Sequence, residues 1–395
     1  MLNFDLYLPT KLIFGIGSIE RLGIEVKNIG KKALIVTGKR SSQENGILER
    51  VIKLLSKENI ESVIFSKIES NPKNNIIDEG GEIARVEKCD FVIGLGGGSA
   101  MDSAKGIAVV AKEGGEIWDY VPDGLKIPKR ITSALPIVEV PTLSASGSEA
   151  NGGAVITNSR TKEKIFFRSY HLFPKISIID PSLTITVPPE KTGEGGIDII
   201  CHVLDPYLTN IEPNTPLQER LQEAVILTVM ENLPLAMKDG RNLEARANLA
   251  WCAVFAVSGF PNFGENAGFP MHSIEHPISG LYDIPHGRGL SALIPAFLET
   301  VLEINPKRLQ QMGERIFKIN ESDKKKLAKE TIKRMKEWLE EIGMFTKLRE
   351  LGVKKDSFEK IAEDSIRISG MGRNYLSNFP QLNKEEIIKI LKRAF

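Results

Sequence analysis

Three of the five histidines in this 395-residue chain stand between positions 272 and 286, at His272, His276 and His286. Residues four apart share a helix face, so His272 and His276 would present their imidazoles together. Pro285 and Gly287 predict a turn around His286 just beyond that helix, from which a third imidazole can reach the same region. Upstream, Asp198 and His202 repeat the four-residue spacing. Asp198, His202, His272 and His286 are therefore candidate ligands for one divalent first-row ion, to which imidazole nitrogen and carboxylate oxygen are suited donors, with room left for substrate. The competing reading is a group of hydrogen-bonded core histidines; crowding in so histidine-poor a chain weighs toward metal. His171 has no such company and is read as a surface residue. Cys201 neighbours His202, but adjacent helical side chains diverge, so it is not counted as a ligand.

A second signal is Gly96-Gly97-Gly98-Ser99, with Asp102 and Lys105 following. Glycines between a buried strand and a helix bare backbone N–H groups at the positive end of the helix dipole, where a pyrophosphate fits. The run matches neither the Gly-x-Gly-x-x-Gly fingerprint nor the Walker loop, and a tight turn alone would also use glycine. Asp102 and Lys105, on the first helical turns, would cap the helix or touch the ligand. After Pro141 come Thr142, Ser144 and Ser146, a hydroxyl-rich loop suited to a nucleotide's ribose or ring, or simply to solvent and a helix cap.

The elements that must position these groups divide in two. Short β-rich runs alternate with amphipathic segments in the first half: strands at Ala33 to Thr37, Ser62 to Phe65, Phe91 to Leu95, Pro136 to Val140, Gly153 to Thr157 and Lys175 to Asp180, with helices near 47–57 and 76–88. After about Leu183 the β-rich runs stop. Helical periodicity follows near 193–208, 216–232, 243–258, 270–279 and 290–302, then to the C-terminus. We expect a dinucleotide-binding α/β domain over residues 1–185 and an all-helical metal-binding domain over 186–395, divided near Pro188-Pro189, with the active site in the cleft between them.

Composition narrows the class. With 42% hydrophobic residues a sizeable core is possible, and 52 basic against 51 acidic residues give no global field for nucleic acid or an anionic membrane. The basic run Lys324 to Lys336 reads as a solvated helix face. The start, Met1 to Tyr7, lacks a signal-peptide pattern, and no apolar run reaches the roughly eighteen residues of a membrane span, so a cytoplasmic protein is expected. Three scattered cysteines argue against a disulfide framework or a thiolate zinc site.

Taken together, the motifs resemble the iron-containing (group III) alcohol dehydrogenases, and within them the butanol dehydrogenase-like members. The resemblance rests on Phe14-Gly15 and Gly17; Gly96 to Ser99 with Asp102 and Lys105; Pro141-Thr142 with Gly147-Ser148-Glu149; Asp198 with His202; and His272, His276 and Pro285-His286-Gly287. It covers essentially the whole chain. It implies a Rossmann-like α/β domain followed by an all-α domain, the dehydroquinate synthase-like fold. It implies Fe²⁺, with Zn²⁺ the alternative, on Asp198, His202, His272 and His286. Gly96, Gly97, Gly98, Ser99 and Asp102 then belong to the dinucleotide site, as do Thr142, Ser144, Ser146, Lys164 and Leu183. His276 matches a histidine near substrate and is the candidate for relaying a proton to and from the substrate oxygen, because a histidine titrates near neutral pH.

Family members that favour NAD often carry Asp where this chain has Gly38. Here Gly38, Lys39, Ser41 and Ser42, with Arg40, end the first long strand without an acid, so NADP is expected over NAD. Two departures are notable. Asp205-Pro206 predicts a bend soon after His202, and Arg288 would narrow the pocket or meet an anionic group. The expected reaction is hydride transfer between nicotinamide and a primary alcohol or aldehyde such as butanol or butyraldehyde, by a homodimer paired through a strand near Phe4 to Tyr7. Alternatives are a glycerol dehydrogenase- or dehydroquinate synthase-like enzyme, a metallohydrolase, and a non-catalytic nucleotide-binding relative.

Overall fold

The structure, a computed structural model, describes residues 2–395. The chain forms two compact units. One comprises Tyr7–Thr192 together with Leu235–Ser258; the other comprises the N-terminal residues up to Leu6, Gly193–Pro234 and Gly259–Phe395. Neither unit is continuous in sequence, because residues 235–258, inside the expected helical half, pack with the α/β half.

The α/β unit runs β1 (Lys11–Phe14), α1 (Leu22–Val26), β2 (Lys32–Gly38), α2 (Ser41–Glu44), α3 (Ile47–Lys57), β3 (Glu61–Ile68), α4 (Asn74–Val86), β4 (Phe91–Gly96), α5 (Gly98–Glu113), β5 (Ile137–Pro141), β6 (Gly153–Thr157), β7 (Lys164–Arg168) and β8 (Ile176–Ile179). Six strands form one sheet in the order β1-β8-β5-β4-β2-β3, every recorded pairing parallel, while β6 and β7 make a separate antiparallel hairpin. A parallel sheet is covered on both faces, which is why β4 and β5 are buried at every position, Glu139 of β5 included. Helix α3 buries Ile47, Leu48, Val51, Leu54 and Leu55, the stripe of a helix lying on a sheet. The strand order reverses between β2 and β4, so the turns leaving these strands open at the crevice where doubly wound folds bind ligands.

The expected strand near Phe4 to Tyr7 is not formed: residues 2–10 carry no regular structure and the first strand is β1, at the sheet edge. Phe4 instead stacks on Phe263, and Tyr7 meets Tyr170 and Phe173 edge-on.

From residue 189 on come α6 (Pro189–Thr209), α7 (Pro216–Lys238), α8 (Leu243–Val257), α9 (Pro270–Tyr282), α10 (His286–Ile304), α11 (Lys307–Arg315), α12 (Lys324–Glu341), α13 (Phe358–Ser369) and α14 (Lys384–Ala394). Helix α10 lies at the core of the helical unit, packed by α9, α12 and α14. Helix α6 runs on past Pro206 to Thr209. Among the described residues no helix is long and apolar enough to cross a membrane.

Candidate active site

Asp198 and His202 project from successive turns of α6, and His272 from the first turn of α9. His286 differs from expectation: it opens α10, with Pro285 as the N-cap residue, because proline tolerates the extended backbone preceding a first helical turn. Oδ1 of Asp198 lies 3.7 Å from Nδ1 of His202, 3.6 Å from Nε2 of His272 and 3.5 Å from Nε2 of His286. These separations exceed a hydrogen bond, so three imidazole nitrogens face one carboxylate oxygen without satisfying it; ligand atoms of Asp198, His202 and His272 lie within 4.8 Å of one another, and His286 joins them through Asp198. Oδ1 of Asp198, Nδ1 of His202 and Nε2 of His272 are buried without any hydrogen-bond partner. Buried polar atoms in such a state cost free energy, and a cation at their common focus removes the cost. The nitrogen and oxygen donor set fits iron(II) or zinc(II).

The electrostatics agree. Burial alone would raise the Asp198 carboxyl, but His202, His272 and His286 hold it well below the usual carboxylate range. Burial pushes His202 down to about 4, leaving it neutral and able to donate a lone pair. Burial also opposes a charge on His272, yet its contacts with Asp198 and Asp205 lift it to about 9. The site thus favours one added positive charge, as a proton on His272 or as a metal ion in its place.

Two carboxylates that the sequence did not flag set the imidazoles. Asp205, fully buried, accepts from Nδ1 of His272 at 2.8 Å, and its oxygens also accept the Met271 and His272 backbone N–H groups at the start of α9, at 3.0 and 3.2 Å. Glu275, fully buried, accepts from Nδ1 of His286 and from the Ser279 hydroxyl. Each bond places a proton on Nδ1 and leaves Nε2 as the inward donor, the arrangement in which a carboxylate raises the basicity of a ligating histidine. Gly289 makes room for this, since a Cβ there would lie 2.5 Å from Oε1 of Glu275.

His276 is half-buried in a second group with Glu275 and His286, their ligand atoms within 4.8 Å of one another. Its ring centroid lies 5.4 Å from that of His286 and 6.3 Å from that of His272. His171 is exposed. The Arg288 guanidinium donates to the Gly343 carbonyl at 3.2 Å and lies 3.9 Å from Glu194.

In the α/β unit the expected dinucleotide residues gather at the carboxyl ends of adjoining strands. Gly97, Gly98 and Ser99 are half-buried at the start of α5, with Gly97 as N-cap, and Thr142 to Ser146 are half-buried after β5. Thr142 N donates to the Gly96 carbonyl at 2.9 Å, and a Cβ on Gly98 would lie 2.6 Å from the Ser146 hydroxyl, so the two loops are in contact. Gly38 closes the neighbouring β2; a Cβ there would meet only the Ile68 carbonyl, at 3.7 Å. Lys39 pairs with Glu69 beside a hollow also lined by Lys67 and Lys73. Ser41 is exposed, whereas Ser42 is buried with its hydroxyl receiving the Thr37 hydroxyl at 2.9 Å.

The remaining positions lie deeper. Asp102 does not cap α5: its carboxylate accepts from Ser148 Oγ at 2.7 Å and Val155 N at 2.8 Å. Lys164, buried on β7, is close enough to Asp102 to oppose the rise that burial imposes on that carboxyl. Leu183 lies in the hydrophobic core of the α/β unit.

Residues 9–181 match the family described as "Iron-containing alcohol dehydrogenase", and residues 192–395 match "Fe-containing alcohol dehydrogenase family, C-terminal". The chain is 36% identical over 397 residues to NADH-dependent butanol dehydrogenase A of Clostridium acetobutylicum, covering 100% of both proteins. It is 31% identical to the NADPH-dependent aldehyde reductase YqhD of Escherichia coli, covering 95% of this chain and 96% of that protein. The crystal structure of NADH-dependent butanol dehydrogenase A from Thermotoga maritima superposes with a TM-score of 0.93 at 37% identity, covering 100% of this chain and 99% of the other.

Proposed function

We infer the roles of individual residues from one premise: this chain belongs to the iron-containing alcohol dehydrogenase family, and it is a metal-dependent, NAD(P)-linked alcohol dehydrogenase and aldehyde reductase. Its substrates are primary alcohols and aldehydes of the size of butanol and butyraldehyde, and residues 1–185 and 186–395 are assigned to dinucleotide and metal, respectively. The observation that carries the metal assignment is the convergence of His202, His272 and His286 within 3.7 Å of one carboxylate oxygen of Asp198. Iron(II) held there supplies Lewis acidity toward the substrate oxygen.

The chain's own groups do the rest. Asp205 and Glu275 hold His272 and His286 in the tautomer that leaves Nε2 free. His276, beside that group and partly open to solvent, moves the proton between substrate oxygen and water. Gly96 to Ser99 receive the pyrophosphate on backbone N–H groups at the start of α5, while Thr142, Ser144 and Ser146 hold the nicotinamide half in place for hydride transfer. NADP is preferred to NAD. Support comes from Gly38, which offers no carboxylate to repel a 2′-phosphate, and from the exposed cations Lys39 and Arg40. The protein acts as a cytoplasmic homodimer.

The test is anaerobic reduction of butyraldehyde by iron-loaded protein with NADPH and NADH in parallel, before and after chelation, alongside a measured iron content. Chelator-sensitive oxidation, faster with NADPH, is expected. Equal or reversed rates would overturn the NADP preference alone, and no oxidation across several aldehydes would overturn the substrate assignment.

A further inference from the structure

Helix α5 carries a lysine with no path to solvent. The Lys105 side chain is fully buried, and its ammonium donates to the carbonyls of Ser148 at 2.7 Å, Asn151 at 2.9 Å and Gly153 at 2.8 Å. An ammonium has three N–H donors, and all three are spent on one short stretch of backbone, leaving none for a ligand. One helical turn earlier, Asp102 takes the Ser148 hydroxyl with one oxygen and the Val155 N–H with the other. The stretch completes itself locally: Asn151 Nδ2 donates to Gly147 O at 3.1 Å, Gly153 N to Asn151 Oδ1 at 2.8 Å, and Ser177 Oγ to Glu149 O at 2.6 Å.

This anchoring changes abruptly along the chain. Residues 147–150 are buried, but Thr142 to Ser146, directly before them, are half-buried and tied mainly by Thr142 N to Gly96 O and by Ser148 N to Ser146 Oγ. The hydroxyl loop is open at one end and bolted down at the other. The bolts stand on the helix whose own N-terminus presents Gly97, Gly98 and Ser99. One rigid element therefore sets both the glycine loop and the adjoining hydroxyl loop.

We propose that Lys105, seconded by Asp102, is a positioning residue for dinucleotide binding: its carbonyl cage fixes the 142–153 loop at a set distance from Gly97 to Ser99, so that the cofactor meets a preformed site. The proposal rests on assigning these loops to the dinucleotide. Preorganisation acts on binding, because a loop that must be ordered by the ligand lowers its affinity.

The experiment compares wild type, Lys105→Met and Ser148→Ala as iron-loaded full-length proteins. Hydrogen exchange of residues 142–155 is read without ligand, dinucleotide affinity by nicotinamide fluorescence, and turnover at saturating aldehyde. In Lys105→Met, faster exchange confined to 142–155 and a rise of about tenfold or more in dinucleotide Kd and KM are expected, with kcat within about threefold and iron content unchanged. Ser148→Ala leaves the carbonyl that Lys105 holds and removes the hydroxyl that the Asp102 carboxylate accepts; it gives the same pattern at about threefold, and through the Asp102 half of the anchor it keeps the proposal testable if Lys105→Met fails to fold. A merely structural lysine would lower the active fraction, hence kcat, and loosen exchange throughout the unit, leaving KM where it was; that outcome, or unchanged exchange at 142–155 in a folded variant, overturns the proposal. Local loosening with no dinucleotide binding even in wild type would instead refute the assignment of the loops.

Discussion

Asp205→Asn isolates the contribution of a residue that touches neither metal nor substrate. The carboxylate accepts three hydrogen bonds, from Met271 N, His272 N and His272 Nδ1. The new amide has one acceptor oxygen and one donor nitrogen, and both placements are unfavourable. With the oxygen toward His272, the nitrogen faces the Met271 N–H, donor against donor, and one buried N–H goes unpaired at a cost of about 1–3 kcal/mol. With the nitrogen toward His272, the ring must move its proton to Nε2, the atom aimed at Asp198, and so lose its free lone pair. Carboxylates that orient a ligating histidine are worth about 10–100-fold in metal affinity, or roughly 1.4–2.7 kcal/mol. The assay is anaerobic competition for Fe²⁺ or Zn²⁺ against a chromophoric chelator, with circular dichroism to confirm that the helices remain. Wild-type affinity in a folded Asp205→Asn protein would refute the claim that Asp205 sets the tautomer.

Three further outcomes are expected. His276→Ala lowers turnover by about 100-fold, the scale of one general acid–base group, while iron content stays at the wild-type level; loss of iron would make His276 a ligand instead. Gly38→Asp, for which there is space at the end of β2, raises the KM for NADPH by about tenfold or more with little effect on NADH, and unchanged selectivity would show that the 2′-phosphate is read elsewhere. Glu139 is buried on β5, with Lys105 Nζ at 4.0 Å and Glu149 and Asp102 nearby, and burial pushes it up to about 8. The folded state then keeps a proton that the unfolded chain releases near pH 4.5, so this stabilisation is full at low pH and is lost as pH rises through about 8. Glu139→Gln should flatten that decline, by up to about 1.4 kcal/mol per pH unit in denaturation experiments, and an identical slope would mean that Glu139 is ionised throughout.

Much of the candidate metal site was legible because histidine is scarce: four of the five histidines lie at or beside it, and the four-residue spacing brings Asp198 and His202 together on α6, whereas His272 and His276, equally spaced, fall into two neighbouring groups. Asp205 and Glu275 were not legible, since burial leaves no mark on a carboxylate in a sequence with 51 acidic residues. Asp205 drew notice only for preceding Pro206, and the helix runs through that proline. His286 was placed in a turn because Pro285 and Gly287 are turn residues; they begin a helix here, Pro285 as cap and Gly287 where a Cβ would lie 2.2 Å from the Glu194 carbonyl. Most strands declared themselves as apolar runs, whereas β1, with a single buried residue, and β7, bounded by Lys164 and Arg168, do not stand out from loop. Lys105 is the instructive failure. A lysine near the start of a helix reads as surface or ligand, and only the three carbonyls around it disclose a third role.

The return of residues 235–258 to the α/β unit constrains how the chain can be made. Helix α8 supplies Ala250 and Val254 to a small core with Ala150 and Ile179, Trp251 to the ring of Phe14, and the Ala253 carbonyl against which only a glycine fits at position 147, where φ is +59°. On the ribosome, the sheet can therefore assemble early, but it cannot be sealed until residue 258 has emerged, by which time Asp198 and His202 are already outside. A fragment ending near residue 185 would expose that unsealed face, so expressing the expected first domain alone should give an aggregating product, and grafting its cofactor specificity onto a relative requires α8 to travel with it.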